Sequence, residues 1–167
     1  MLERPVLIAE ALRQYHSYNS DEWEKVYFDE ASGGFNVYHK AHQFTPKGGG
    51  DKAEKVVGKM LAKHGKRVEF LPENGKGKSV PDLAFDGKTW DVKYINHANE
   101  ETIRTYIKDT RKAENALFYW DENDKLDALK SAVVRSIGYF KKKNTLRAMP
   151  NIYYINKEGA LKPIFVR

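Results

Sequence analysis

Two aspartates and one lysine in the middle of the chain have the types and spacing that phosphoryl chemistry requires. The segments on both sides of Asp86-Gly87 have β-type composition, and this dipeptide is the strongest two-residue hairpin signal. A two-residue turn there places Asp82 directly opposite Asp91, with Cβ atoms about 5 Å apart. Lys93 lies two residues beyond Asp91 and therefore projects from the same face of the sheet. One face of this hairpin is predicted to carry Asp, Asp and Lys.

Opposed carboxylates of this kind suit a divalent cation. Like charges directly opposite each other destabilise a sheet, and a bound cation compensates them. An oxygen-only pair fits Mg²⁺ or Mn²⁺, which keep several waters and accept phosphate oxygens. A neighbouring lysine can orient or deprotonate an attacking water and stabilise growing negative charge. The pattern therefore favours metal-dependent phosphodiester hydrolysis. The alternative is a half-exposed strand whose outward polar residues include two carboxylates by chance.

The rest of the composition excludes several other chemistries. The 167 residues contain no cysteine, so the chain has no disulfide, no thiol nucleophile and no thiolate metal site. Residues 74–79 end like a phosphate-binding loop, but Pro72 occupies the position of the first glycine. His39 and His42 are interpreted as loop or strand residues, and His64 as a core or cap residue. No apolar stretch approaches the roughly 20 residues of a membrane span, so a soluble protein is expected.

The elements that must position the site are predicted from residue 51 onward. Apolar residues at helical spacing and a glycine at position 65 indicate an amphipathic helix of about four turns. The predicted strands are 67–71, 82–85, 88–95, 116–120, 151–156 and 161–166, and further helices begin after Asn99 and run along the stripe from Leu126 to Phe140. This order predicts a mixed α/β domain in which an antiparallel hairpin belongs to a mixed sheet flanked by helices.

Residues 1–50 are predicted to form a helical lead-in and connector that precedes the domain at 51–167. Segments 3–16 and 21–28 are interpreted as two short helices, the second with a capping box that ends at Glu24. A short strand is predicted at 35–38. Glycines and Pro46 then indicate a flexible connector. This lead-in is expected to anchor the module or to contact a partner.

The motif order resembles the signature of the PD-(D/E)XK nuclease superfamily. Pro81-Asp82, eight intervening residues and then Asp91-Val92-Lys93 match its short motif. The element order over about residues 51–120 is that of its restriction-endonuclease-like core. The run from Leu71-Pro72-Glu73 to the Asp-Val-Lys motif is also similar to the C-terminal tRNA-cleaving toxin domains of contact-dependent growth inhibition proteins, and to related phage and mobile-element modules.

The resemblance implies a role for each residue of the motif. Asp82, Asp91 and the backbone carbonyl of Val92 would bind Mg²⁺ or Mn²⁺, and Lys93 would serve the attacking water. Glu54, on the helix from residue 51, stands where the superfamily often supplies an extra acidic residue and would assist the metal directly or through a water.

Two glutamates have rival explanations. Glu54 follows Asp51 by three residues and could be only the reciprocal member of a capping box, although the site role is favoured. Glu73 follows a proline in a loop. It is an accessory site carboxylate in one interpretation and a solvated loop residue in the other, with the second at least as favoured.

Positive charge is concentrated far from the aspartates in the sequence. The whole chain has a formal charge of +6, and residues 125–147 alone hold 7 basic and 1 acidic side chains. Such density is a plausible footprint for a phosphate backbone or only a solvated helix face. The predicted nucleic-acid-binding residues are Arg104, Lys108, Arg111, Lys130, Arg135, Lys141, Lys142 and Lys143. For Arg104 and Arg111 the alternative is that their methylene stems border the core.

These patterns together predict a Mg²⁺-dependent endonuclease that cuts RNA, with tRNA favoured as the substrate. A DNA endonuclease or junction resolvase of the same superfamily is the second interpretation, because site chemistry does not separate the two polymers. A nucleic-acid-binding module without catalysis is the third. The toxin resemblance implies an inhibitory immunity protein as partner and action in the cytoplasm of a target cell. No signal peptide is expected in this chain.

Overall fold

The fold contains four α-helices and eight strands within the described part of the chain. The computed structural model describes residues 3–44, 50–73, 80–96, 99–110, 113–121 and 123–167. The helices are α1 (Arg4–Ser17), α2 (Gly50–Lys63), α3 (Glu100–Asp109) and α4 (Leu126–Lys142), and a short 3₁₀ turn spans Leu146–Ala148. The strands are β1 (Trp23–Phe28), β2 (Phe35–His39), β3 (Arg67–Phe70), β4 (Leu83–Phe85), β5 (Lys88–Tyr94), β6 (Asn115–Tyr119), β7 (Asn151–Ile155) and β8 (Leu161–Phe165).

All eight strands belong to one sheet, in which they follow their order in the sequence. Strand β2 is parallel to β3, and β5, β6 and β7 are parallel to one another, whereas the remaining neighbours are antiparallel. Each parallel connection passes through a helix, as parallel pairing requires. The predicted mixed α/β class, with an antiparallel hairpin in a mixed sheet flanked by helices, is confirmed.

Two apolar clusters lie on opposite faces of the sheet. Ala53, Val57 and Leu61 of α2 pack on one face, against residues that include Trp90 and Leu117. Helices α3 and α4 pack on the other face, and the second cluster contains Ile103, Ile107, Leu129, Val133, Ala116 and Phe118. Because side chains alternate along a strand, β6 contributes to both clusters, whereas β5 contributes Trp90, Val92 and Tyr94 to the first cluster alone. The sheet is therefore covered on both faces at its centre, where β5 and β6 lie.

The β4–β5 hairpin has the predicted register. Leu83 pairs with Trp90, and the turn residues Asp86 and Gly87 have φ values of 53° and 69°. Positive φ at both positions is the requirement of a type I′ turn, which explains the Asp-Gly dipeptide. Gly65 likewise has a φ of 82° directly after α2, as expected of a glycine that ends a helix.

The helix predicted at residues 21–28 is wrong, because this segment contains strand β1. Trp23, Val26, Tyr27 and Phe28 are aromatic or β-branched, and these residue types fit a pleated surface. Pairing with β2 outweighs the local capping signal that ended at Glu24. The predicted first helix corresponds to α1. Strands β1 and β2 continue the sheet of β3 to β8, so the lead-in is only partly helical and shares one sheet with residues 51–167.

Residues 46–49 of the predicted connector at 46–50 and the glycine-lysine loop at 74–79 lie outside the described residues, and Gly50 is the first residue of α2. Within the described ranges, none of the helices combines the length and the apolar character that crossing a membrane demands.

Candidate active site

Strand register brings Asp82 and Asp91 together. Asp82 directly precedes β4, its backbone amide donates to the Trp90 carbonyl at 3.0 Å, and Leu83 pairs with Trp90. The ladder ends at this pair, and Asp82 lies beside Asp91 because its amide contacts Trp90 and its carboxylate accepts from Val92, the two neighbours of Asp91. Both side chains are buried, with exposed fractions of 7% for Asp82 and 1% for Asp91. Two carboxylates thus lie on the sheet face that α3 and α4 cover, which is a costly arrangement unless positive charge accompanies them.

Lys93 supplies positive charge to this pair. Its Nζ lies 2.8 Å from Asp91 Oδ2, and its side chain is 19% exposed. The same ammonium lies 5.9 Å from the ring centroid of Tyr106 on α3, within the range of a cation–π contact. Lys93 is therefore held between the sheet and α3, with part of its surface open to solvent. We call Asp82, Asp91 and Lys93 the aspartate–lysine cluster.

The backbone of Val92 completes the local geometry. Its amide donates to Asp82 Oδ2 at 2.8 Å, which fixes the orientation of this carboxylate. The N–H and C=O of one residue in a strand point to the same side, so the Val92 carbonyl also faces the β4 side of β5. The β4–β5 ladder ends beside Asp82, where Val92 passes beyond the three residues of β4. The Asp82 carboxylate and the Val92 backbone therefore lie together where the two strands part.

The donor set of this cluster fits a hard divalent cation. Carboxylate and carbonyl oxygens are the ligands of Mg²⁺ and Mn²⁺, and Mg²⁺ commonly uses one or two carboxylates while it keeps several waters. Among the described residues, no three His, Asp or Glu side chains are grouped closely enough to hold a metal ion. A cation in this position would thus depend on Asp82, Asp91 and the Val92 carbonyl, with water or substrate oxygens in the other positions.

The Glu54 side chain contacts a buried histidine, His42. Glu54 is on α2, which packs on the opposite face of the sheet, and it is only 4% exposed. Its Oε1 is 3.7 Å from Nε2 of His42, a buried residue of the loop that follows β2. The other ring nitrogen, Nδ1, is 2.7 Å from the Leu71 carbonyl. We call this contact the His42–Glu54 pair. The contact with His42 gives Glu54 a structural role that does not depend on a capping box.

The surroundings of His42 favour its charged form. Burial, the largest contribution, lowers the pKa of His42, but the Glu54 carboxylate, the Leu71 carbonyl and Glu73 together raise its pKa above the ordinary value of 6.5. Glu73 belongs to the same neighbourhood, since its amide donates to the Ala41 carbonyl at 3.0 Å. Both glutamates considered as site residues are therefore found near His42, and Glu73 is half-buried in this loop.

Two predicted phosphate-binding arginines form ion pairs with glutamates of α3. Arg104 lies 2.9 Å from Glu101 within α3, and Arg135 of α4 lies 2.7 Å from Glu100 and 3.3 Å from Glu101. The contacts of Arg135 join α4 to α3. Carboxylates neutralise much of the positive charge that these arginines would offer to a phosphate backbone. Arg111 lies outside the described residues.

The other predicted basic residues lie mainly at the carboxyl end of α4. Lys141, Lys142 and Lys143 are exposed, as is Lys130 earlier in the helix. Lys108 Nζ lies 4.3 Å from the ring centroid of Tyr139, and these two residues line a cavity of about 600 Å³ together with Phe140, Lys143, Thr145 and Ala148. A basic surface that includes aromatic residues thus occurs at the end of α3 and α4.

Sequence reasoning missed His42 and Tyr106. Nothing in the spacing of His42 distinguishes it from an ordinary loop histidine, because its contacts with Glu54 and Leu71 arise only when the loop packs on α2 and β3. Tyr106 lies at helical spacing with Ile103 in α3, a pattern that indicates a core position and does not single it out as a neighbour of Lys93.

The motif resemblance rests on the residues of this chain and on their arrangement. Comparisons of the chain with family models, with curated proteins and with solved structures give no match.

Proposed function

We propose that this protein is a metal-dependent endonuclease that hydrolyses phosphodiester bonds in RNA. The observation that carries the proposal is the aspartate–lysine cluster: two buried carboxylates on adjacent strands, with the Lys93 ammonium 2.8 Å from Asp91. The Asp82 carboxylate accepts from the Val92 amide, so both acidic groups are held at the same end of the hairpin as Lys93. The PD-(D/E)XK resemblance adds tRNA as the favoured substrate and a toxin as the biological role.

Each member of the cluster has a distinct part in the proposed reaction. Asp82, Asp91 and the Val92 carbonyl hold Mg²⁺ or Mn²⁺, and Val92 N–H keeps Asp82 oriented. The cation supplies positive charge to the phosphoryl group and lowers the pKa of the attacking water. Lys93 orients that water and stabilises the charge that develops on the phosphoryl oxygens. Asp91 keeps the Lys93 ammonium in place until the substrate arrives.

The charge distribution supports a polyanionic substrate. Residues 141–143 are three consecutive exposed lysines, and Lys108 lies beside Tyr139 at the same end of the helix pair. The ten residues of α3 span about 15 Å at 1.5 Å per residue. A strand of RNA that crosses α3 therefore reaches both the lysines and Lys93. An acidic inhibitor, such as an immunity protein, would compete for the same lysines.

The deciding experiment compares tRNA and plasmid DNA as substrates, each with Mg²⁺ or with EDTA. The wild type is tested beside Lys93→Ala and Asp82→Asn, and Lys88→Ala is the matched control, because Lys88 is an exposed lysine at the other end of β5. The wild type and Lys88→Ala are expected to cut tRNA only with Mg²⁺. Each cluster variant is expected to lose at least about 10²-fold in rate.

The other outcomes separate the remaining hypotheses. Cutting of DNA alone would favour the DNA endonuclease, and salt-sensitive binding of either polymer without cutting would favour the binding module. If Lys93→Ala and Asp82→Asn cut as well as the wild type, the catalytic assignment is wrong. The toxin role predicts in addition that expression of the wild type arrests growth and that expression of Lys93→Ala does not.

A further inference from the structure

A small cavity lies at the carboxyl ends of β5 and β6, where the first turns of α2 cross the sheet. Its volume is about 230 Å³, and its lining residues are Lys52, Ala53, Val56, Tyr94, Asn96, Tyr119 and Asp121. The crevice beyond the carboxyl ends of parallel strands is where open α/β sheets commonly bind ligands. The volume is below the range of pockets for drug-sized ligands, so it suits one planar ring system.

The cavity and the aspartate–lysine cluster are linked by consecutive residues of β5. Tyr94 directly follows Lys93 in β5, and successive side chains of a strand point to opposite faces. Lys93 therefore projects toward α3, whereas Tyr94 projects toward α2 and the cavity. The cavity and the cluster therefore lie on opposite faces of the sheet, near the same end of β5. A substrate strand that passes beyond the carboxyl ends of β5 and β6 would be needed to engage both.

The lining combines an aromatic wall with a fixed hydrogen-bond acceptor. The rings of Tyr94 and Tyr119 lie 6.0 Å apart with a tilt of 30°. The Tyr94 hydroxyl donates to Asp121 Oδ1 at 2.8 Å, which orients this exposed carboxylate at the rim. Tyrosine faces stack with bases, and a carboxylate accepts from base amino and imino groups. Burial and then Asp121 raise the pKa of Tyr119, so its hydroxyl stays protonated and remains a donor.

We propose that this cavity binds an unpaired guanine base of the nucleic-acid substrate. Guanine presents two adjacent N–H donors on its Watson–Crick edge, which match the two oxygens of a carboxylate. Uracil has only one N–H donor there, between two carbonyl oxygens that Asp121 would repel. Lys52 is exposed at the rim and pairs with a phosphate of the same nucleotide. This site deepens the proposed nuclease function and rests on it for its biological meaning, but binding is measurable without cleavage.

The test is an NMR titration of the aromatic and side-chain amide resonances with GMP and with UMP in the presence of EDTA. Mononucleotides contain no phosphodiester linkage, so binding is independent of nuclease activity. The resonances of Tyr94, Tyr119 and the Asn96 amide are expected to shift, with GMP bound about tenfold more tightly than UMP. Asp121→Asn is expected to remove this preference. Asp127→Asn, the same exchange at an exposed position of α4, is expected to keep it.

A second variant tests the stacking wall. Tyr94→Leu is expected to weaken GMP and UMP alike by about tenfold, because stacking does not depend on the base. If Tyr94→Leu does not fold, Tyr94→Phe keeps the ring and removes only the hydrogen bond to Asp121. It is then expected to reduce the preference for GMP while binding of UMP persists.

The proposal is overturned if neither nucleotide shifts these resonances, or if the GMP preference survives Asp121→Asn. Failure of the nuclease function gives a different result, namely intact tRNA with the wild type. Where tRNA is cut, Asp121→Asn is expected to change the positions of the cuts without abolishing them, whereas Lys93→Ala abolishes all of them.

Discussion

The molecule contains two buried acidic groups that differ in what accompanies them. In the aspartate–lysine cluster, two carboxylates from adjacent strands share one sheet face with a partly exposed ammonium. In the His42–Glu54 pair, one carboxylate from a helix meets a fully buried imidazole at 3.7 Å. The first reaches solvent through Lys93, whose side chain is 19% exposed. The second is buried on both sides, with side-chain exposures of 0% for His42 and 5% for Glu54.

This difference indicates that the two groups have different roles, one in the proposed reaction and one in the stability of the fold. A catalytic group must reach a substrate, and a metal site needs oxygen ligands with open positions beside them. In the proposed function the cluster takes this role, at the place where β4 and β5 part. The His42–Glu54 pair instead connects the loop after β2, the end of β3 and α2, and Phe44 and Phe70 lie within 6 Å of the His42 ring. We therefore assign it the task of holding that loop.

The largest expected effect is on the rate of tRNA cleavage, which should fall far more after substitution in the aspartate–lysine cluster than in the His42–Glu54 pair. Asp91→Asn is expected to lower the rate of tRNA cleavage by at least about 10²-fold, because it removes a charged oxygen ligand. Glu54→Gln is expected to lower it by less than tenfold per folded molecule. Rates are measured under single-turnover conditions and divided by the folded fraction. An equal loss in Glu54→Gln would place Glu54 in the metal site, as the motif resemblance implies.

The geometry of the cluster was accessible from the sequence because it depends on local rules. Asp86-Gly87 specifies a turn with two positive φ values, the turn specifies the register from Phe85–Lys88 to Leu83–Trp90, and Asp82 is the residue next to this ladder. Side-chain alternation then places Lys93 on the same face. Every step involves residues within twelve positions of one another, so no knowledge of the tertiary structure is needed.

The remaining contacts depend on packing between distant segments. His42 meets Leu71 only because β2 and β3 are parallel neighbours, and Arg135 meets Glu100 across 35 residues only because α3 and α4 are packed together. Strand β1 was missed for the same reason, since it forms by pairing with β2. Local signals are weak evidence where a long-range partner decides the outcome.

The second prediction concerns the contribution of the His42–Glu54 pair to the free energy of unfolding. Glu54→Gln is expected to lower the free energy of unfolding by about 3 kcal/mol, because it leaves a buried imidazolium without its carboxylate. Glu10→Gln, on the exposed surface of α1, is the matched control and is expected to change it by less than about 0.5 kcal/mol. Urea denaturation at pH 6 measures both. A negligible effect of Glu54→Gln would show that the contact with His42 does not stabilise the folded protein.

The third prediction uses a metal titration to distinguish the groups without any substrate. At ten times its dissociation constant, Mn²⁺ is expected to stabilise the wild type by about 1.4 kcal/mol through preferential binding to the folded state. His42→Gln is expected to retain this stabilisation, whereas Asp82→Asn and Asp91→Asn lose it. The shift of the urea midpoint with Mn²⁺ gives the measurement. Stabilisation that disappears in His42→Gln and persists in Asp91→Asn would reverse the assignment of the two groups.

The smallest expected effect is the pH dependence of the His42–Glu54 pair. The pKa of His42 in the folded protein is raised above 6.5, so the folded state binds the proton more tightly than the unfolded state. The resulting stability is fully present below pH 6.5 and is lost as the pH rises through the folded pKa of His42. The difference in unfolding free energy between the wild type and His42→Gln is therefore expected to shrink between pH 6 and 9, by less than the loss caused by Glu54→Gln. A difference that grows with pH would mean that burial outweighs Glu54 and that His42 is neutral in the folded protein. The pair would then contain no buried positive charge, and the comparison with the aspartate–lysine cluster would no longer hold.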